Sequence, residues 1–136
     1  MKDTELKRRK AEALYAVYKQ GLEEGRFDSL LGAGRWCASH PAPCFFISAK
    51  QASILLGRIQ SRVSLINLGS AQRRMVWQLY GDYQRYLEDH PGTRLSRERI
   101  LEILVDRPAP EFFISPEGAR KVLRQEINKA RKKHGW

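Results

Sequence analysis

Only two cysteines, Cys37 and Cys44, occur in the 136 residues, too few for a secreted fold held together by disulfides. Histidine is nearly as scarce. His90 and His134 fall in a turn and a tail, with no carboxylate or nucleophile spaced to work with them in acid–base or nucleophilic chemistry. No glycine-rich phosphate loop is present. No apolar run approaches the roughly 20 residues needed to cross a bilayer. The opening MKDTELKRRK is charged and has no apolar stretch behind it, unlike a signal peptide. These absences set the expectation of a non-enzymatic protein without cofactor, metal or membrane association, in the reducing cytoplasm.

Acidic residues are also in short supply, with 15 Asp and Glu against 25 Lys and Arg, a net charge of +10. Such a surplus favours polyanionic partners, nucleic acid first and anionic lipid second. Apolar residues make up 42% of the chain, enough to build a core. The length suits one compact domain or two small ones packed together.

What the sequence does hold is a repeat. Arg8-Arg9 through Glu23 and Arg73-Arg74 through Glu88 share the frame R-R-x4-L-Y-x2-Y-x3-L-E at an offset of 65 residues. From Ser29 and Ser96 onward the offset is 67, and PAPCFFIS at 41–48 faces PAPEFFIS at 108–115. Two ordered blocks of this kind read as a tandem duplication. The expected organisation is a first three-helix repeat at 1–62, a partly buried linker at 63–70 and a second three-helix repeat at 71–136.

Each repeat reads as three helices. Met75, Val76, Leu79, Tyr80, Tyr83, Tyr86 and Leu87 share one arc at 100° per residue, and His90-Pro91-Gly92 closes that helix. Ser96 opens a second helix carrying Ile100, Leu101, Ile103 and Leu104, which Asp106-Arg107-Pro108 stops. The corresponding helix of the first repeat is weakened by Gly32 and Gly34. Ser48 and Ser115 sit where N-caps belong, with Gln51 placed for a capping box and Pro116 at the first helical position. The prolines of PAPxFFIS impose an extended entry to each third helix. Its aromatic pair suits a hydrophobic staple ahead of base stacking. The order of elements is helix-turn-helix-like, although the nine-residue connection His40–Ser48 exceeds the usual turn of that motif.

The third helix of the second repeat carries the functional signal. Ala119, Val122, Leu123, Ile127 and Ala130 share one arc, while Arg120, Lys121, Arg124, Arg131 and Lys132 lie opposite with Gln125 and Asn128 among them. Cations interleaved with amides suit phosphate contact together with base-edge contact. Glu126 interrupts the apolar arc for no reason visible in the sequence. The matching helix of the first repeat keeps Lys50, Arg58 and Arg62 but places Ile54 among them, a pattern suited to contact with the other repeat. Arg8-Arg9 and Arg73-Arg74 open the first helices and suit either phosphate contact or ion pairs with neighbours of Glu23 and Glu88.

Cys37, His40 and Cys44 form C-x2-H-x3-C, but the second repeat holds Leu104, Arg107 and Glu111 there. The unit therefore does not require those ligands, and three fall short of a structural zinc set. The doubled frame and doubled PAPxFFIS resemble a group of uncharacterised short, basic, two-copy bacterial proteins associated with prophage or mobile-element neighbourhoods. That resemblance implies no activity and assigns no binding residue; it implies a bacterial cytoplasmic setting near DNA. The expected function is nucleic-acid binding, DNA ahead of RNA, through Arg120, Lys121, Arg124, Gln125, Asn128, Arg131 and Lys132 with Arg73 and Arg74. The alternative is a protein-interaction or homodimerisation module using exposed aromatics or Ile54.

Overall fold

Four serines start four of the helices. The side chains of Ser29, Ser48, Ser96 and Ser115 accept hydrogen bonds from the amides of Gly32, Gln51, Arg99 and Gly118 at 3.0, 3.1, 3.2 and 3.0 Å. Each bond satisfies one of the amides that a helix start leaves without an intrahelical partner. The computed structural model describes residues 3–135 and contains α1 (Asp3–Glu24), α2 (Leu30–Ser39), α3 (Ala49–Gln60), α4 (Ser70–Asp89), α5 (Arg97–Leu104) and α6 (Pro116–Lys133). The protein is mainly α-helical, and no helix among the described residues is long and apolar enough to cross a membrane.

The helices do not pack in chain order. α6 lies against α1 and α2, whereas α3 lies against α4 and α5. Each third helix therefore joins the first two helices of the other sequence repeat. The ranges 1–62 and 71–136 follow the order along the chain, and the packing crosses between them. Among the described residues no contact joins α2 to α3 or α5 to α6, so the second and third helices of each repeat do not pack on each other. The reason is the long connection between them, which carries the chain across to the opposite bundle.

The two PAPxFFIS segments cross each other. Ala42 and Ala109 exchange a pair of backbone hydrogen bonds at 2.9 Å, an isolated antiparallel bridge with no strand around it. Outside that bridge, the Phe45 amide donates to the Val105 carbonyl and the Phe112 amide to the Ala38 carbonyl, at 3.0 and 3.3 Å. Phe45 stacks on Phe113, and Phe46 stacks on Phe112, with ring centroids 5.7 and 6.1 Å apart. Every one of these contacts has its counterpart at the 67-residue offset.

The expected extended segment is thus extended only at its start. Phe46 and Phe113 both adopt the left-handed conformation, at φ 54° and 52°, which costs roughly 1–2 kcal/mol for a residue with a side chain. The ring stacks and the burial of Phe45, Phe112 and Phe113 offset that strain, since a buried aromatic contributes about 1.5–3 kcal/mol. Burial also removes those three rings from base stacking.

The core is assembled from matched positions. Leu14 and Leu79, Cys37 and Leu104, Ala52 and Ala119, and Leu56 and Leu123 are all fully buried. Cys37 occupies a leucine site, and burial pushes its thiol up to about 11. α2 forms despite its glycines because Gly34 permits contact with α6. A Cβ there would lie 2.5 Å from the Pro116 carbonyl oxygen and 3.2 Å from the Arg120 nitrogen. The cost of glycine in the helix is thus exchanged for close packing. Leu65 and Leu68 of the linker pack against the core. Ile54 stays exposed, and α3 instead buries Ala52, Leu55 and Leu56.

Candidate nucleic-acid interface

α6 begins at Pro116, capped by Ser115, and runs to Lys133, so most of the basic tail is helical; Trp136 lies outside the described residues. Ala119 and Leu123 are buried against α1 and α2. That anchoring sets the rotation of the helix and turns the opposite arc outward. Lys121, Arg124, Gln125, Asn128, Arg131 and Lys132 are all exposed. Arg120 is half-buried, because its backbone and Cβ abut Gly34 of α2. The helix thus presents four exposed cations and two exposed amides on one arc. Glu117 lies on the same arc in the first turn, where the helix dipole favours a carboxylate.

Among the described residues, no carboxylate lies within ion-pair distance of Lys121, Arg124, Arg131 or Lys132, whereas Arg8, Arg26, Arg85 and Arg99 all have such partners. Glu126, unexplained by the sequence, accepts an ion pair from Lys129 Nζ at 3.0 Å and is largely covered. The pair keeps its charge off the apolar seam and off the basic arc.

The two arginine pairs behave differently. Arg8 lies inside α1, not at its start, and binds Glu5 and Glu12 at 3.8 and 3.3 Å. These acids lie within one helical turn; they are not the neighbours of Glu23 that the sequence suggested. Arg74 is held by Glu111, with Nε and Nη2 donating to the two carboxylate oxygens at 3.2 and 2.9 Å, and it also donates to Ser70 Oγ. The Glu111 hydrogen bond holds the Arg74 guanidinium above its ordinary pKa. Arg74 is therefore engaged in a fork-like pair that phosphate would have to displace. Arg73 is half-buried in the first turn of α4, a helix that does not touch α6.

One cation escaped the sequence reading. Arg35 of α2 is exposed and borders a groove of about 310 Å³ shared with Pro116 at the start of α6, Arg74 and Glu111. In sequence it is a lone arginine far from the basic helix. Only the cross-repeat docking of α6 on α2 places it beside that helix.

The cysteine–histidine cluster does not converge. Cys37 is buried and Cys44 half-buried, both as free thiols, and the His40 ring pairs through Nδ1 with the Pro41 carbonyl at 2.8 Å. Among the described residues no three His, Cys, Asp or Glu side chains are placed to hold a metal. Compared with known proteins, the chain matches no family model, no curated protein and no solved structure.

Proposed function

We propose that this is a non-enzymatic nucleic-acid-binding protein, for DNA ahead of RNA, acting as an accessory or regulatory factor. The observation that carries the reading is the exposed arc of α6, where Lys121, Arg124, Arg131 and Lys132 stand without carboxylate partners among the described residues. Fixed cations on a rigid helix meet backbone phosphates without first breaking internal ion pairs. Gln125 and Asn128 lie between them and supply amide groups that can pair with base edges. Arg35 extends the positive surface past the start of α6. Arg120 supports the arc from its half-buried position, and Arg73 and Arg74 are peripheral to it.

The organisation proposed with this function is a tandem duplication whose copies have diverged. Its support is the recurrence of sequence at offsets of 65 and then 67, with caps, backbone bonds and ring stacks repeating at 67. The copies share a scaffold, and the dense basic face belongs to one of them. The helix-turn-helix likeness carries no weight here, since α6 docks on helices from the start of the chain. A bacterial, cytoplasmic setting is part of the same proposal and rests on the resemblance of the doubled PAPxFFIS frame.

The test is fluorescence anisotropy on a labelled DNA duplex at low salt. Wild-type protein binds, and the variant Lys121→Glu/Arg124→Glu/Arg131→Glu does not, while its helical circular dichroism is unchanged. Equal binding by the folded variant refutes the assignment of α6.

A second reading, a protein-contact surface, is favoured by Trp77. It is 55% exposed on α4 and packs edge-on to Tyr80 at 5.8 Å, a presentation typical of interface anchors. Concentration-dependent dimers by light scattering, lost in Trp77→Ala, together with no nucleic-acid affinity, would favour it.

A further inference from the structure

The repeat relates Lys10 to Met75 and Lys7 to Gln72. All four residues line one cleft of about 400 Å³, against the rings of Phe46 and Phe113. The cleft therefore sits where the two copies meet, and its lining differs from one side to the other. Met75 is buried, as an apolar side chain should be. Lys10 places an ammonium at the matching position.

That ammonium is poorly compensated. Among the described residues its one hydrogen bond is a long donation from Nζ to the Phe113 carbonyl, 3.4 Å. Among the described residues no carboxylate lines the cleft. Burial lowers the Lys10 pKa, the direction expected of a cation short of counter-charge. The neighbouring cleft makes the contrast plain, because Glu98, Glu102 and Asp106 stand opposite Arg9 and Lys50 there.

Around Lys10 the cleft offers further groups suited to negative charge. Lys7 adds a second ammonium from the next turn of α1, and Ser48, Gln51 and Gln72 supply neutral polar groups. Gln51 and Gln72 lie in the first turns of α3 and α4, where the helix dipoles favour an anion. Two cations with several hydrogen-bonding groups match a dianion with three or four acceptor oxygens better than a single carboxylate.

We propose that this cleft binds a phosphate group, with Lys10 and Lys7 as its charge partners. The site is separate from the α6 arc and does not depend on it. The phosphate is either free, as a small phosphorylated molecule, or part of a nucleic-acid strand.

The experiment is isothermal titration of the full chain with inorganic phosphate in one arm and a short single-stranded oligonucleotide in the other. Lys10→Met copies Met75, and Lys7→Gln copies Gln72, so each introduces a residue the fold already accommodates. Saturable one-site binding of inorganic phosphate, weakened about tenfold or more in Lys10→Met and less in Lys7→Gln, supports the site with a free phosphate as its ligand. No inorganic phosphate binding, but an oligonucleotide affinity that falls in Lys10→Met, supports it with a strand phosphate. Should Lys10→Met lose its helical signal, Lys10→Gln gives the same readout. Lys121→Glu/Arg124→Glu must leave inorganic phosphate binding intact, which separates failure of this site from failure of α6. Binding in neither arm, or equal binding by wild type and a folded Lys10 variant in both, overturns the proposal.

Discussion

Gly34→Ala is the sharpest probe of how the helices pair. In an isolated helix the change is favourable by about 1 kcal/mol, because alanine loses less backbone entropy than glycine. In this fold the new methyl would meet the Pro116 carbonyl oxygen at 2.5 Å, about 1 Å inside the ~3.5 Å at which non-bonded heavy atoms rest. The obstacle is backbone on a helix held by Ala119 and Leu123, so α2 and α6 must separate along their contact. Overpacking of this kind costs ~1–3 kcal/mol. Set against the propensity gain, the expected result is a net loss of up to about 2 kcal/mol. Gly81→Ala is the internal control. It lies mid-way along α4, and a Cβ there meets nothing within 4 Å. That substitution should stabilise by about 0.5–1 kcal/mol. Urea denaturation followed by circular dichroism reads both, and the prediction is opposite signs. If Gly34→Ala stabilises as much as Gly81→Ala, α6 does not dock on α2 as described, and the cross-repeat packing is refuted.

Two more consequences follow from the same contacts. Because each third helix docks on the other repeat, fragments 1–66 and 67–136 should each lack native helical content as monomers and regain it when mixed one to one. A folded monomeric 67–136 fragment, by circular dichroism and light scattering, would contradict this. In the native chain at pH 8 a thiol reagent should modify Cys44 and spare Cys37, whose burial raises its thiol pKa to about 11 and leaves almost no thiolate. Equal labelling of both, mapped by mass spectrometry, would show that the Cys37 site opens readily.

Much of the local structure was legible in the residues. Ser48 and Ser115 announced their helices, and Asp106-Arg107-Pro108 its stop, because capping and proline sterics act within a few residues. The apolar and basic arcs of α6 were legible for the same reason, being fixed by helical periodicity alone. The partner of α6 was not. An apolar arc of Ala119, Val122 and Leu123 fits either bundle equally, and only the reach of PAPxFFIS decides between them. Other positions stay ambiguous until long-range contacts are known. Gly34 reads as a defect until the helix it admits is known. Arg35 reads as an isolated charge until α6 lies beside it. Arg74 suits phosphate or an ion pair equally until the fold brings Glu111 to it from 37 residues away.

The salt dependence of duplex binding tests the proposed function most directly. The four unpaired cations of the α6 arc should neutralise about as many phosphates, so log K against log[salt] should fall with a slope of about −4, taking ~0.9 per phosphate. Neutralising Lys121 alone should make that slope shallower by about 1 and weaken binding to all sequences alike. A slope near zero, or one that Lys121→Ala and Arg124→Ala leave unchanged, would contradict nucleic-acid binding through α6.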